Sequence, residues 1–427
     1  MRLTKFTAAL PLLLAAHLAD AQQINPFKYV VDDVVVTDLG SLGSQSGARD
    51  INDLGDVVGW TEKSGDSRLH AFIHLNGQMY SIHSDPSNFR NGFAQAINNS
   101  RVVVGYYQDA NYPVVHDKRA FYYYPGIWLS WMPSDASSGL GYEWTAEAYG
   151  ITETDRIVGT ASMTVNIPPP TLGLCHQTLA VVWNNAGQNP YGLFCIPDPD
   201  NDDTWWGQGI KPVAHDINNS NNIVGTDGGK TTYSMFFYNN LQNSVVTVPK
   251  PAGAPLFDGS TKLFGVARGM NDSNWVVGSY GHDHEGQSTS QTRAFVWNGT
   301  SASAQSLGTF TGGTRSAAHE INEQYMVVGD SGRTWNFSGQ TVNRTLAFLW
   351  HSNFGLFQLP GIGGYWHASG GLFGTWIPNS CTAWSVNDRK ASGLVQAVGE
   401  CTVDSSGTRR AVRWDITVRK VSIPSGL

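Results

Sequence analysis

No stretch of this chain repeats its apolar residues at intervals of three and four, so no segment sustains a helical period. That excludes a helical bundle and any architecture alternating strands with helices. Charge is also scarce: Asp, Glu, Lys and Arg make up 14% of the residues, with a formal net charge of −7. An acidic, weakly charged chain argues against nucleic acid as the partner. After residue 21 no apolar run is long enough to span a bilayer, so membrane insertion is not expected. The Gly-x-Ser-x-Gly elbow, the phosphate loop, His-Glu-x-x-His and the EF-hand pattern are all missing. The glycine-rich segment 361–371 opens no helix, which speaks against a nucleotide site. Cysteine is limited to four residues.

Residues 1–21 combine a basic start (Arg2, Lys5), an apolar stretch from Ala8 to Leu18 and the small-residue site Ala19-Asp20-Ala21. This pattern reads as a secretory signal peptide and predicts an extracellular or periplasmic protein. The cysteines suit that oxidising setting. Cys175 and Cys195 lie twenty residues apart, as do Cys381 and Cys401, each pair at the ends of neighbouring expected strands. Disulfides Cys175–Cys195 and Cys381–Cys401 are therefore expected. Nothing calls for a second subunit, so a monomer is expected.

Repetition dominates the rest. Ala-x-x-Ile-Asn followed by Val-Val-Gly recurs seven times, starting at Ala48, Ala94, Ala148, Ala214, Ala267, Ala318 and Ala383. In six copies the apolar residue and the Gly are eight positions apart, while the seventh carries five extra residues. A second block in each copy holds an Ala-Phe-like pair, as in His70-Ala71-Phe72 and Arg293-Ala294-Phe295. Short β-branched and aromatic runs punctuated by Asn-Asp, Asn-Gly and Gly-Gly turns read as strands. Four strands per unit and seven units predict an all-β fold, a seven-bladed β-propeller with four-stranded blades over residues 22–427. A β-solenoid is the competing arrangement, but it favours shorter and more uniform repeats. An extra strand at about 33–39 resembles a closing strand, expected to pair beside 410–423.

The connections between first and second strands are tight, whereas the other loops vary in length and are rich in aromatics. They include Tyr112, Tyr142, Trp144, Trp205, Trp206, Tyr365, Trp366 and Trp376. Exposed Trp and Tyr suit stacking on sugar rings, and the plain alternative is that they pack the loops. Within each first strand the residue after the repeated Ala varies while its neighbours do not. Around the copies it reads Arg49, Gln95, Tyr149, His215, Arg268, His319 and Trp384. All are polar or aromatic and none is acidic. These side chains should converge on a central channel and face an anionic or hydroxyl-rich ligand, or else simply line it for solvent.

The chemically richest grouping surrounds the fifth unit. Tyr280 and Arg293 should sit on the loop face, flanked by His215, Arg268 and His319. Arginine can neutralise a carboxylate while Tyr and His move a proton, the set needed for β-elimination from a uronic acid polysaccharide. Tyr106, Tyr107 and Arg119 form a weaker copy. A hydrolytic glycosidase needs two placed carboxylates, and this ring of seven offers none. The loop His282-Asp283-His284-Glu285 carries imidazoles and carboxylates that could hold a divalent metal, calcium or zinc; no other cofactor is expected.

The units His70-Ala71-Phe72, Asp38-Leu39-Gly40-Ser41-Leu42-Gly43 and Ala48-x-x-Ile51-Asn52…Val58-Gly59 closely resemble the extracellular HAF repeats of bacterial exported proteins. That resemblance covers nearly all of the chain beyond residue 21 and implies secretion and a propeller. More loosely, the chain is similar to seven-bladed propeller lyases acting on the polysaccharide ulvan, which use a Tyr, an Arg and His residues on one face. Tyr280, Arg293 and His215 match those residue types. Three functions thus stand side by side: a lyase on an anionic polysaccharide, a non-catalytic sugar-binding propeller, and a surface interaction scaffold.

Overall fold

The computed structural model describes residues 27–82, 90–109, 118–124, 130–132, 145–167, 173–185, 191–192, 212–228, 233–251, 264–281, 292–337, 340–368 and 374–422. Among them all regular structure is β: seven four-stranded antiparallel sheets and one two-stranded ribbon. Six sheets are built from consecutive strands; sheet one, for example, runs Ser46–Ile51, Val57–Lys63, Asp66–Leu75 and Gln78–Ser81. The seventh combines Cys381–Val386, Leu394–Thr402 and Arg409–Ser422 with the N-terminal strand Phe27–Gly40 as its outer member. Phe27–Gly40 pairs along its length with Arg409–Ser422.

Seven apolar clusters fill the spaces between consecutive sheets, and the last of them joins sheet seven to sheet one. The repeated Ala-Phe pair explains their regularity. Adjacent residues of a strand point to opposite faces. Ala71 accordingly enters the cluster shared with sheet two, and Phe72 the cluster shared with sheet seven. Burying one such Phe contributes about 1.5–3 kcal/mol.

The repeated Asn has two tasks at the tight turn after each first strand. Its Oδ1 accepts backbone N–H groups of its own turn, as when Leu54 N and Asp56 N donate to Asn52 (3.1 and 2.9 Å). Its Nδ2 donates to the carbonyl of the corresponding residue in the next sheet, as from Asn52 to Asn98 at 3.1 Å and from Asn387 back to Asn52 at 3.2 Å. Sheet three has Thr152 at this position. One residue further, a second set of bonds makes a complete circuit, from Asp53 N to Asn99 Oδ1 (2.9 Å) and on to Asp388 N and Asp53 Oδ1 (3.0 Å).

The Val-Val-Gly glycine is explained by a clash. At Gly59, Gly105, Gly159, Gly225, Gly278, Gly329 and Gly399 an added Cβ would stand well inside 3.0 Å of a carbonyl oxygen on the first strand. Cys381 and Cys401 are direct partners across neighbouring strands, with Cα atoms 4.1 Å apart, and form the expected disulfide. Cys195 lies outside the described residues, so the other expected pair does too, as does the signal segment. In sheet three the second strand runs on to Ile167 and the third starts at Gly173, so the pairing extends well beyond the first strand.

Candidate functional site

Each first strand carries one register shift, and it falls at the same place every time. The shifts lie between Ala48 and Asp50, Ala94 and Ala96, Ala148 and Gly150, Ala214 and Asp216, Ala267 and Gly269, Ala318 and Glu320, and Ala383 and Ser385. The residue skipped is Arg49, Gln95, Tyr149, His215, Arg268, His319 or Trp384. A β-bulge leaves one residue unpaired and re-aims its side chain. That gives the free variation of this position a backbone cause. All seven bulged residues line one cavity of about 400 Å³.

On one side of this cavity Trp384 is sandwiched. The Arg49 guanidinium lies 4.2 Å over its ring, and the His319 imidazole lies 4.2 Å away on a tilted plane. Arg49 also stands 4.0 Å from Glu400, which binds Arg409 at 2.9 Å. His319 Nε2 donates to Asp330 Oδ1 at 2.8 Å. Across the cavity Tyr149 donates to Glu147 Oε2 at 2.6 Å, and Lys118 donates to the same oxygen at 2.8 Å. The Tyr149 ring contacts Tyr106 (6.3 Å) and His215 (5.9 Å).

Three buried polar atoms of this ring have no hydrogen-bond partner among the described residues: Arg268 Nε, His319 Nδ1 and Trp384 Nε1. They belong to sheets five, six and seven, side by side. Buried polar groups are otherwise nearly always satisfied, because an unpaired one costs about 1–3 kcal/mol. Two donors and, in the tautomer that bonds Asp330, one acceptor thus stand open, beside the charge of Arg268.

The floor of the cavity was not foreseen. Asp50, Asp216 and Glu320 follow the bulged residues and line the cavity from below. The seven-residue ring lacks carboxylates, but the site as a whole does not. Asp50 accepts Ile51 N (2.8 Å), Ile97 N (2.8 Å) and Ser385 Oγ (2.6 Å). Asp216 accepts Ile217 N (2.7 Å) and Met270 N (2.8 Å). The bulges release these N–H groups from the ladder and the carboxyls cap them, a structural task that leaves little capacity for a glycosidase's acid and nucleophile. A sequence signal was present: the position after the variable one is restricted to acidic, small or hydroxyl residues.

Below the floor a second cavity of about 200 Å³ opens between the tight turns, lined by Asp53, Glu153, Asp272, Glu323 and Asp388. The two cavities share Asp50, Ile151, Glu320 and Ser385, so they are stacked.

Tyr280 and Arg293 do not join the cavity. Tyr280 is buried in the apolar layer between sheets four and five, its ring 6.5 Å from Phe295. It lies in a second strand, whereas among the described residues the cavity is lined by first-strand residues and Tyr106. Arg293 Nη1 donates to the carbonyls of Thr292 (3.0 Å) and Thr314. Tyr106 lines the cavity, Tyr107 is buried against Phe121, and Arg119 is an exposed residue of a third strand whose next two residues are buried. Trp205, Trp206, His282 and His284 fall outside the described residues, among which no group of three His, Cys, Asp or Glu could hold a metal.

Burial holds His215 down to about 3, with the Arg268 charge adding to the effect, and it lowers His319 as well. Both imidazoles are neutral at pH 7. Burial lifts Tyr149 well above its ordinary value. It also pushes Asp50 up to about 6 and raises Asp216 and Glu320, with neighbouring carboxyls adding to it. Stability should then have two limbs in pH. The raised carboxyls bind more protons folded than unfolded, so their contribution is full below about pH 4 and fades as pH rises through 6. The depressed imidazoles do the reverse: their contribution is full above about pH 6.5 and is lost as pH falls towards their folded values. Between about pH 4 and 6.5 the two limbs oppose each other and above 6.5 only the carboxyl limb remains, so the thermal midpoint is expected to fall from pH 6.5 to 8, and Asp216→Asn should make that fall shallower. A midpoint that climbs steadily to pH 8 would contradict this assignment.

The chain matches the family described as "Protein of unknown function (DUF3466)" over residues 129–309, from the outer strand of sheet two through sheet five. No curated protein matches it. Among solved structures it is similar to a puromycin-hydrolyzing peptidase of Mycobacterium tuberculosis, at 11% identity and a TM-score of 0.46, covering 88% of this chain and 55% of that one. It is also similar to TolB from Acinetobacter baumannii, at 9% identity and a TM-score of 0.35, covering 86% and 83%. A third is Trypanosoma rangeli sialidase, at 9% identity and a TM-score of 0.38, covering 90% and 60%. The chain spans less than two thirds of the peptidase and of the sialidase.

Proposed function

We propose that this chain is an exported, monomeric seven-bladed propeller of the HAF-repeat kind that binds an acidic polysaccharide in its axial cavity. The cyclic packing of sheets and the circuit of turn hydrogen bonds support the closed propeller. The Cys381–Cys401 disulfide suits an oxidising compartment. The observation that carries the ligand is the row of polar atoms on Arg268, His319 and Trp384 that have no partner among the described residues, in a cavity that Arg49 also lines. A uronate offers the matching groups: a carboxylate for Arg268 and Arg49, hydroxyls for Trp384 and His319, and a sugar face for Tyr106 or Tyr149.

Calorimetry with a uronate oligosaccharide and its carboxyl-reduced counterpart tests this. The uronate is expected to bind at least about tenfold tighter, since hydrogen bonds to charged groups contribute about 1.5–3 kcal/mol. Equal affinities would refute the carboxylate role.

A second reading, β-elimination, is favoured by the contact of Tyr149 with His215 beside Arg268. In it the neutral His215 takes the proton α to the carboxylate and Arg268 stabilises the enolate. As the C–O bond breaks, Tyr149 protonates the leaving oxygen, and a carbon–carbon double bond remains. Ultraviolet absorbance of the unsaturated product separates this reading from binding alone.

A further inference from the structure

Sheet six carries an overhang. Its second and third strands, Val327–Phe337 and Gln340–His351, run well past the length of their first-strand neighbour. The two-stranded ribbon Gly364–Ala368 and Gly374–Pro378 lies against this overhang. The His367 imidazole stacks flat on Phe337, with centroids 3.8 Å apart and planes at 9°, and its Nε2 lies 3.0 Å from Gln340 Oε1. Tyr365 lies beneath the Arg344 guanidinium at 5.7 Å. Ile377 is fully buried. The ribbon is therefore anchored through Tyr365, His367 and Ile377, and strand alternation turns Trp366 and Trp376 the other way.

Those two are cross-strand partners with ring centroids 5.6 Å apart, and they are 67% and 44% exposed. Gly364 helps to hold the pose, since a Cβ there would stand 2.7 Å from the Trp376 ring. The charge around them is one-sided. In a chain of net charge −7, residues 331–387 contain no Asp or Glu. Arg333 and Arg344 face each other directly across the overhang strands, a like-charge pairing that destabilises unless an anion relieves it. Among the described residues neither has a carboxylate: Arg333 donates to Gln358 Oε1 (2.8 Å) and Arg344 to Asn343 O (2.9 Å).

We infer that the ribbon is a second carbohydrate-binding surface, separate from the axial cavity, on which an acidic polysaccharide stacks two sugar rings on Trp366 and Trp376. Arg333 and Arg344 supply the positive field at its edge. The stack gives affinity for any pyranose face, and the acid-free surround selects an anionic chain.

Electrophoresis of the full chain through gels containing polygalacturonate or dextran tests this. Polygalacturonate should retard the wild type, and the double variant Trp366→Ala, Trp376→Ala should need about tenfold more polymer for equal retardation. The variant Trp366→Phe, Trp376→Phe, which keeps both rings, should retain most of it. Arg333→Gln with Arg344→Gln should lower retardation by polygalacturonate and leave that by dextran unchanged. Arg268→Gln, in the cavity, should still be retarded, so that loss of cavity binding and loss of this surface are told apart. On the Arg268→Gln background, a double alanine variant retarded as strongly as Arg268→Gln alone, at an unchanged thermal midpoint, would overturn the inference. So would equal retardation of the wild type by dextran, or a dimer that the double variant dissolves, which would assign the face to a second copy of the chain.

Discussion

Arg268→Gln is expected to weaken uronate binding by about 10- to 100-fold while leaving the fold at least as stable as before. The first effect follows from losing a charged donor opposite a carboxylate, about 1.5–3 kcal/mol. The second follows from how Arg268 is held. Its Nε has no partner among the described residues, and burial lowers its pKa, so the ordered guanidinium is costly in the free protein. Asp330, whose charge acts on Arg268, keeps His319 as a partner when Arg268 is gone. A purely structural arginine would show the reverse pattern, with the midpoint falling and binding following it. Arg49→Gln should be milder on binding, because Arg49 is already engaged with Glu400 and Trp384. Calorimetry and thermal melts on both variants decide the matter; undiminished affinity in Arg268→Gln would remove this residue from the site.

Gly278→Ala, like alanine at the other six repeated glycines, should damage the scaffold severely, at about 3 kcal/mol or more. The new Cβ would meet the carbonyl oxygen of Val266 and the Cα of Ala267, both backbone atoms that no rotamer change can move aside. Gly407 is the control. It has φ +84 and nothing near its would-be Cβ, so alanine there costs only the left-handed backbone, about 1 kcal/mol. Urea midpoints of the two variants should differ clearly. Similar midpoints would mean that the repeated glycine is there for its φ or for chain entropy and not for the approach of the strands.

The position after each repeated Ala shows how far residues alone could lead. Its variability pointed to a shared role, because an inward packing position would have repeated like Ala48 and Ile51. The reason for that freedom was hidden, since a bulge is a property of two paired strands and the partner's register is not written in the bulged strand. The floor of Asp50, Asp216 and Glu320 escaped for the same cause: its task is to cap N–H groups that only the bulge sets free. Tyr280 was expected on the loop face because it ends the second strand of the fifth unit. Along a second strand alternation sends side chains into the layers between sheets, and Tyr280 falls on the face that packs against sheet four.

The amino-acid sequence by itself determined what is local and repeated. Strand alternation, the Asn turn, the Ala-Phe pair and the glycine depend on neighbours a few residues away, so seven copies carry the same instruction seven times. The tertiary structure alone decided what meets what. Residues as distant as Asp53 and Asp388 become hydrogen-bonded when sheet seven packs on sheet one. Seven side chains of five types become one cavity wall, and Trp366 becomes exposed because the ribbon's other face found an anchor. Such contacts depend on how the sheets pack on one another, which no single repeat contains.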